Sequence, residues 1–296
     1  MSRIVVVGAG VVGTATGIGF AASGHQVEYV DDNPERVAEL RRAGREAMLP
    51  DVLSLAGVDV IVVAVPTPLA AGRFDYRHLD AASCVIGTAL AAVDCAEYPI
   101  VVYRSTMLPG STGTRMVPLL EKWSGHSAGI DFGVCYNPEY LRERRAVDDF
   151  GAPPMVLIGT DPRDRSTRRA IADLYQDFPA EIITTTWEVA EFQKYVHNLA
   201  NATKISFFNE MRIAGERLGL LEAEIDLAFA VSAVSAEGLR EPTYGTGNRG
   251  PYAGACLPKD VVAALSYFRA LDIPVDLLDA VDEVNRRAAR RRRRIG

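Results

Sequence analysis

The first part of the chain constrains the fold more than any other segment. An apolar run, Ile4 to Val7, leads directly into Gly8-Ala9-Gly10-Val11-Val12-Gly13, and a helical pattern follows from Gly13 to Ser23. The spacing GxGxxG between a strand and a helix is typical of dinucleotide-binding α/β proteins. Gly8 allows the tight turn, Gly10 lets the backbone approach a pyrophosphate, and Gly13 permits close packing of helix and strand. The sequence therefore predicts a dinucleotide site at this loop, with Val11 and Val12 part of it.

An acidic residue in the right place indicates which dinucleotide binds. Asp31 follows the second predicted strand, Gln26 to Val30, about 20 residues beyond the glycine motif. A carboxylate there accepts hydrogen bonds from the adenosine ribose hydroxyls and repels a 2′-phosphate, and Asp32 adds to that repulsion. The predicted cofactor is NAD rather than NADP.

The pattern of apolar runs predicts two domains. Up to about residue 186, Val- and Ile-rich strands alternate with helices, which favours a doubly wound parallel sheet with both faces buried. The predicted strands are Ile4 to Val7, Gln26 to Val30, Val58 to Val65, Ile100 to Tyr103, Phe132 to Tyr136 and Met155 to Gly159. Beyond that point the pattern is helical, with a long proline-free run from Glu188 to Leu218 that Gly219 can close. We expect an α/β domain, 1–186, and an all-helical domain, 187–296.

Composition excludes several classes of protein. The net charge is −6, which does not favour nucleic acid, and no uninterrupted apolar run is long enough for a membrane span. We find no signal peptide and expect a cytoplasmic enzyme. The four cysteines, Cys84, Cys95, Cys135 and Cys256, lack metal-site spacing, so no metal is predicted. The run Arg290 to Arg294 is either a solvated helix end or a phosphate-binding patch.

A cysteine in a Gly-rich loop is the chief candidate for chemistry. Cys256 lies just before Leu257-Pro258-Lys259-Asp260, where a proline starts a predicted helix that runs to about Ala270. Unpaired N–H groups at a helix N-terminus stabilise a thiolate, which favours a reactive cysteine. A buried structural cysteine is the alternative, and residue types alone do not decide between the two.

Motifs along nearly the whole chain resemble those of the UDP-glucose/GDP-mannose dehydrogenase family. They occur in the family's order: Gly8 to Gly13, Val65-Pro66-Thr67-Pro68, Arg104-Ser105-Thr106, Asn137-Pro138-Glu139-Tyr140-Leu141-Arg142-Glu143, Gln193-Lys194-Tyr195-Val196-His197-Asn198, Phe207-Phe208-Asn209-Glu210 and Cys256-Leu257-Pro258-Lys259-Asp260. The resemblance implies a Rossmann-type NAD domain and two successive hydride transfers to NAD. A primary alcohol would thereby become a carboxylate.

The resemblance also implies a role for particular residues. Cys256 matches the nucleophile that forms a thiohemiacetal and then a thioester. Lys194 and Asn198 match the pair that stabilises the substrate oxygen, and their i, i+4 spacing places them on one helix face. Glu139 matches the base for thioester hydrolysis.

Further residues are implied to handle protons, substrate and cofactor. Asp260 matches the acid that, with Thr106 and a water, handles the alcohol proton. The other implied substrate residues are Glu143, one helical turn beyond Glu139 if that segment is helical, Lys259 and Arg240. The other implied cofactor residues are Pro66, Thr67, Ser105 and Thr106. Members of the family pair through the helical domain, so we expect a homodimer in which Arg240 reaches the neighbouring subunit's sugar.

The substrate is left open by the sequence. The family continues into a third domain that binds the nucleotide of the sugar nucleotide, whereas this chain ends at Gly296, so we expect that domain to be absent. The substrate is then either a sugar nucleotide or a smaller alcohol, such as a sugar phosphate or a nucleoside. An enzyme that stops at the aldehyde, and a non-catalytic NAD-binding partner protein, are the remaining alternatives.

Overall fold

A computed structural model describes residues 1–94, 97–247, 250–254 and 256–295. Cys95 and Ala255 lie outside the described residues, as do the side chains of Arg292, Arg293 and Arg294 in the arginine run. The chain divides into two compact units, Met1–Val196 and His197–Gly296. The domain boundary that we expect from the sequence, after residue 186, stays a prediction.

Eight of the strands in the described residues form a single sheet in the first unit, in the order β10-β9-β8-β7-β4-β1-β2-β3. Register is set by β1, where Ile4 lies opposite Val27 on one side and Val60 on the other. A two-stranded hairpin, β5-β6, lies outside the sheet. The strands are β1 (Arg3–Val7), β2 (Gln26–Val30), β3 (Glu46–Met48), β4 (Val60–Val63), β5 (Leu69–Ala70), β6 (Arg73–Phe74), β7 (Ile100–Tyr103), β8 (Gly133–Tyr136), β9 (Val156–Thr160) and β10 (Ile182–Thr186).

Helices cover both faces of this sheet. They are α1 (Val11–Ala22), α2 (Pro34–Arg42), α3 (Arg77–Leu90), α4 (Val117–Ser124), α5 (Ala146–Gly151) and α6 (Arg165–Leu174). Two clusters of buried side chains result, one on each face, since alternate strand residues such as Val5 and Val6 belong to different clusters. Side chains cap two of the helices: Asn33 accepts from the Glu35 amide, and Asp164 from that of Thr167. The predicted doubly wound, Rossmann-type fold is confirmed.

One strand pair is antiparallel, so two strands, β9 and β10, run opposite to the other six strands of the sheet. β9 pairs antiparallel with β8, with Tyr136 opposite Gly159, and β10 is parallel to β9. The connection from β8 contains only a short 3₁₀ turn and the six-residue α5, whose Phe150 packs edge-on against Phe20 of α1 with ring centroids 5.0 Å apart. This connection does not run back along the sheet. β9 therefore begins at the same end of the sheet at which β8 finishes, and it runs in the opposite direction. The sheet is therefore mostly parallel, with one antiparallel pair.

The second unit is built from helices alone within the described residues. A long helix, α7 (Trp187–Arg217), begins in the first unit and ends two residues before Gly219, whose φ is +84°. It is followed by α8 (Glu222–Ser235), α9 (Glu237–Arg240), α10 (Leu257–Ala270) and α11 (Asp276–Ile295). A small core forms around Ala214, Leu265 and Phe268, and Glu210 accepts hydrogen bonds from the first amides of α11. The predicted helical second domain and long helix are confirmed.

None of the described helices combines the length and apolar character needed to cross a membrane.

Candidate active site

The glycine loop has the geometry that a dinucleotide site needs. Gly8 has a φ of +91°, and a Cβ there would lie 2.8 Å from the carbonyl carbon of Ala64. At Gly13 a Cβ would meet the carbonyl oxygen of Gly8 at 1.9 Å, so only glycine lets α1 start this close to β1. A Cβ on Gly10 would have nothing within 4 Å, which leaves the backbone at the start of α1 open to a ligand.

Asp31 holds the glycine loop from the neighbouring strand. Its Oδ2 accepts a hydrogen bond from the Ala9 amide at 2.7 Å, and its Oδ1 accepts from the Asn33 amide at 3.0 Å. Arg36 binds the same loop from α2, with Nε donating to the Ala9 carbonyl and Nη2 to the Thr14 hydroxyl, both at 2.8 Å. The sequence interpretation missed Arg36, whose only local signal is its position in the first turn of the helix that follows Asp31.

A cavity of about 360 Å³ opens beside this loop. Its lining includes Gly8, Gly10, Asp31, Asp32 and Pro66. His78 and Arg36 also line it, and neither is a residue that we expected at the site. A lining that holds both carboxylates and the glycine loop fits the ribose and pyrophosphate of a dinucleotide, so the residues present fit NAD.

The remaining predicted cofactor residues differ in their burial. Ser105 is buried, and its hydroxyl donates to the Val65 carbonyl at 2.7 Å, which ties the end of β7 to the segment after β4. Thr67, Thr106 and Val12 are half-buried, and Val11 is exposed. Val11 lines a second cavity, of about 550 Å³, together with Gly10, Arg36 and Glu143.

Lys194 and Glu139 form a buried ion pair in the first unit. The Lys194 ammonium lies 2.9 Å from Glu139 Oε1 and also donates to the Glu139 carbonyl oxygen, and Lys194 is only 4% exposed. The other carboxylate oxygen of Glu139 accepts from the Leu141 amide at 2.7 Å. The fold thus joins two predicted catalytic residues that are far apart in sequence.

An aromatic side chain encloses this ion pair. The Tyr140 ring centroid lies 5.4 Å from the Lys194 ammonium, and the Tyr140 hydroxyl donates to Gln193 Oε1 at 2.5 Å. Burial raises the pKa of Tyr140 to about 12, so its hydroxyl is a neutral donor at ordinary pH. The pair therefore sits in a partly dry environment, where its charges are weakly screened.

Glu143 would lie one helical turn beyond Glu139 only if the segment between them were helical. The segment between Glu139 and Glu143 is not helical, and only Glu143–Arg145 forms a 3₁₀ turn. Arg142 explains this, because its amide and guanidinium both bind the Asp149 carboxylate, which extends the chain before the turn. Glu143 is exposed and does not lie one helical turn beyond Glu139.

The candidate nucleophile lies in the second unit. Cys256 is exposed and forms the N-cap of α10, with its carbonyl accepting from the Asp260 amide at 2.9 Å. Pro258 occupies the first turn of the helix, as expected from the sequence. Lys259 and Asp260 pair with each other, and both side chains are largely exposed.

The other two predicted residues of this unit are also exposed. Asn198 lies on α7, one turn beyond Lys194. Arg240 ends α9, and its guanidinium lies 3.2 Å from the Glu241 carboxylate. The second unit thus brings Cys256, Lys259 and Asp260 together at one helix start and places Arg240 and Asn198 on other elements.

The two other cysteines that the structure describes lie in elements of the sheet unit. Cys135 is fully buried in β8 and Cys84 is half-buried in α3. Among the described residues no group of His, Cys, Asp and Glu could hold a metal ion. That a metal is not needed stays a prediction.

Fold and site together define an α/β protein that binds a dinucleotide at a glycine loop, with a helical unit attached. Residues 2–56 and 50–179 match the NAD binding domain of the UDP-glucose/GDP-mannose dehydrogenase family, and residues 188–287 match the family's central domain. The chain belongs to this family and is an NAD-dependent dehydrogenase. The predictions of family, enzyme class and cofactor are confirmed.

Named relatives agree with this assignment. The chain is 31% identical to the GDP-mannose 6-dehydrogenase of Pseudomonas putida over 304 residues, covering 96% of this chain and 68% of the relative. It is 28% identical to the UDP-glucose 6-dehydrogenase of Rhizobium meliloti, covering 96% and 67%. The chain therefore spans about two thirds of the length of these relatives.

Solved structures show the same similarity. The ternary complex of GDP-mannose dehydrogenase from Pseudomonas aeruginosa superposes with a TM-score of 0.86 at 30% identity, covering 97% of this chain and 69% of the other. A UDP-glucose dehydrogenase from Pyrobaculum islandicum gives a TM-score of 0.72 at 29% identity, covering 97% and 68%.

Proposed function

We propose that this enzyme oxidises the primary alcohol of a nucleotide sugar to a carboxylate, in two steps that each reduce one NAD. The observation that carries the proposal is the buried ion pair of Lys194 and Glu139. Its two members are the residues that we assign to oxyanion stabilisation and to hydrolysis, so a single contact serves two stages of one reaction. The names of the relatives favour a nucleotide sugar over a smaller alcohol.

The first step converts the alcohol to an aldehyde. A hydride leaves carbon only as its oxygen gives up a proton, so the site needs a proton acceptor and a cation near that oxygen. We assign the proton to Asp260, acting with Thr106 and a water, and the oxygen to Lys194 and Asn198. NAD, when bound beside the glycine loop, supplies the hydride acceptor.

The second step needs a covalent bond to the enzyme. An aldehyde has no readily transferable hydride until a nucleophile adds to its carbon. The Cys256 thiolate adds to the aldehyde carbon to give a thiohemiacetal, whose oxygen Lys194 stabilises. Loss of a second hydride gives a thioester on Cys256. Glu139 then takes a proton from water, the water oxygen attacks the thioester carbon, and the carbon–sulfur bond breaks.

The overall balance defines what must be measured. One alcohol, two oxidised NAD and one water give one carboxylate, two NADH and three protons. The remaining assignments follow the same resemblance: Glu143 and Lys259 contact the substrate, and Arg240 contacts the sugar bound by a second subunit. Exposed apolar side chains on α7 and α8, such as Ile205, Leu227 and Val231, support pairing through the helical unit.

The test is NADH production by the purified protein, counted per molecule of substrate consumed. The panel holds GDP-mannose, UDP-glucose, a UDP-N-acetylhexosamine, the corresponding sugar 1-phosphates and the free nucleosides. We expect two NADH for each nucleotide sugar consumed, with a carboxylate product in the mass spectrum. One NADH with an accumulating aldehyde would contradict the covalent second step. Activity confined to sugar phosphates or nucleosides would contradict the nucleotide-sugar assignment, and NAD binding without turnover on any of these compounds would contradict both.

A further inference from the structure

A buried arginine next to the candidate site has no acidic partner. Arg104 directly follows β7 and is 5% exposed. Within the described part of the chain it forms no ion pair with a carboxylate, and its Nε is buried without a hydrogen-bond partner. Burying a guanidinium without a counter-charge is costly. A hydrophobic residue would fill this place in the core at lower cost, so the charge itself needs an explanation.

The guanidinium is bound instead by a closed triangle of hydrogen bonds. Its Nη1 donates to Asn137 Oδ1 at 2.5 Å and to the Tyr175 hydroxyl at 2.8 Å. The Tyr175 hydroxyl donates in turn to Asn137 Oδ1 at 2.8 Å. The Phe150 ring covers the guanidinium, 5.3 Å from its carbon. Two donors thus converge on one oxygen of Asn137, and its position depends on both.

Asn137 passes this constraint to the loop that follows β8. Its amide nitrogen Nδ2 donates to the Leu157 carbonyl of β9 at 2.8 Å, and its backbone amide donates to the Tyr103 carbonyl of β7 at 2.9 Å. Two residues later the loop presents Glu139, whose carbonyl and carboxylate oxygens both accept from Lys194. The Arg142–Asp149 pair holds the far end of the same loop.

We propose that Arg104 is a positioning residue, which acts through Asn137 and Tyr175 to hold the 137–142 loop so that Glu139 meets Lys194. Its charge strengthens the two hydrogen bonds that Arg104 donates, one to Asn137 and one to Tyr175, since charge-assisted hydrogen bonds are about twice as strong as neutral ones. A displacement of the base by about 1 Å is enough to slow a reaction by about a hundredfold. The consequence for catalysis rests on the proposed role of Glu139 in thioester hydrolysis, whereas the consequence for the loop does not.

The first arm of the test measures the loop without any substrate. Arg104→Met keeps most of the side-chain length and removes the donors, and Tyr175→Phe removes a single hydroxyl from the triangle as a milder variant. Hydrogen–deuterium exchange is followed on peptides that contain the Leu141 amide, which Glu139 binds. Arg163→Met is the control, because Arg163 pairs with a carboxylate on the exposed surface.

We expect both triangle variants to exchange the 139–142 amides at least about threefold faster, with the rest of the sheet unit and the affinity for NAD unchanged. Arg163→Met should leave these amides as in the wild type. Unchanged exchange in Tyr175→Phe and Arg104→Met would overturn the proposal, as would faster exchange spread over the whole unit, which marks a general loss of packing.

The second arm measures the hydrolysis step and separates positioning from packing. In Arg104→Met and Tyr175→Phe we expect acyl-enzyme on Cys256 to accumulate in intact-mass spectra and its hydrolysis to slow by about tenfold or more. In a Glu139→Gln background, which itself leaves the acyl-enzyme to accumulate, neither change should slow hydrolysis further. An equal slowing in both backgrounds would overturn the proposal. If the wild type shows no turnover, the proposed function fails. The exchange experiment still tests whether Arg104 holds the 137–142 loop, because it needs no substrate.

Discussion

The predicted site residues of the two units are held in different ways. In the sheet unit, Asp31, Glu139 and Lys194 each bind groups distant in sequence, and Lys194 is almost completely buried. In the helical unit, Cys256 and Arg240 are exposed, and the Arg240 side chain pairs only with its sequence neighbour among the described residues. Side chains that are fixed before a ligand binds need no further ordering when it does, whereas exposed ones still lose conformational freedom at that moment.

This difference indicates a different task for the site residues of each unit. The cofactor loop is held by Asp31, which suits the binding and orientation of NAD, and the Lys194–Glu139 pair is already formed without a ligand. Cys256 is exposed at the start of α10, which suits a nucleophile that must meet a bulky substrate. We therefore expect substitutions in the cofactor loop to change the affinity for NAD, and those at Cys256 to change chemistry without changing NAD affinity or stability.

The largest effect is expected at Cys256, which tests most directly whether the exposed site residues of the helical unit carry out the chemistry. Cys256→Ser replaces the thiolate by a hydroxyl that is a far weaker nucleophile at neutral pH, so carboxylate formation should fall by about a thousandfold or more. NAD affinity and the free energy of unfolding should stay as in the wild type. The measurement is carboxylate produced per NADH, with Cys84→Ser, a half-buried thiol of the sheet unit, as control. Carboxylate formed at the wild-type rate would show that no thioester is needed.

A smaller effect, confined to the cofactor, is expected at Asp31. Asp31→Ala removes the acceptor for the Ala9 amide and for the ribose, and each hydrogen bond to a charged group contributes about 1.5–3 kcal/mol. The dissociation constant of NAD should rise by about tenfold to a hundredfold, since each 1.4 kcal/mol is about a tenfold change. Titration calorimetry measures it, and Asp161→Ala in an exposed turn serves as control. An unchanged dissociation constant would remove Asp31 from the cofactor site.

The smallest effect is on stability, and it concerns Glu191, a carboxylate that the sheet unit buries completely. Glu191 of α7 is fully buried and accepts hydrogen bonds from the amide and hydroxyl of Thr112 and from the Gly110 amide. Burial raises the pKa of Glu191 above the usual 4.5, and the bonds from Thr112 oppose this only in part. The folded protein then holds this proton more tightly than the unfolded chain does. The stability due to Glu191 is present below pH 4.5 and is lost as the pH rises through the raised pKa.

The matched variant for this prediction is Glu191→Gln, which cannot ionise. Relative to the variant, the wild type should lose free energy of unfolding as the pH is raised from about 4.5, and the difference should then become constant. Urea unfolding of both proteins at several pH values measures this. A difference that is constant from pH 4 to pH 8 would mean that burial does not raise the pKa of Glu191.

Local patterns in the sequence predict the glycine loop and the strand and helix on either side of it, which the structure contains. The Gly8–Gly13 loop and its flanking strand and helix depend on neighbouring residues and on backbone geometry, both of which are visible locally. The edge strands β3 and β10 were missed, because Glu46–Met48 is too short and Ile182–Thr186 is too polar to stand out from a loop.

Sequence alone determined the glycine turn, the acid at Asp31, the long helix and the helix start beside Cys256, since each is set by residues within a few positions. Tertiary structure decided the antiparallel β9, the Arg104 triangle and the contact of Lys194 with Glu139. The two partners in that contact are 55 positions apart. No local propensity encodes such a distance; it follows from how β8 ends and where α7 begins once the sheet has formed.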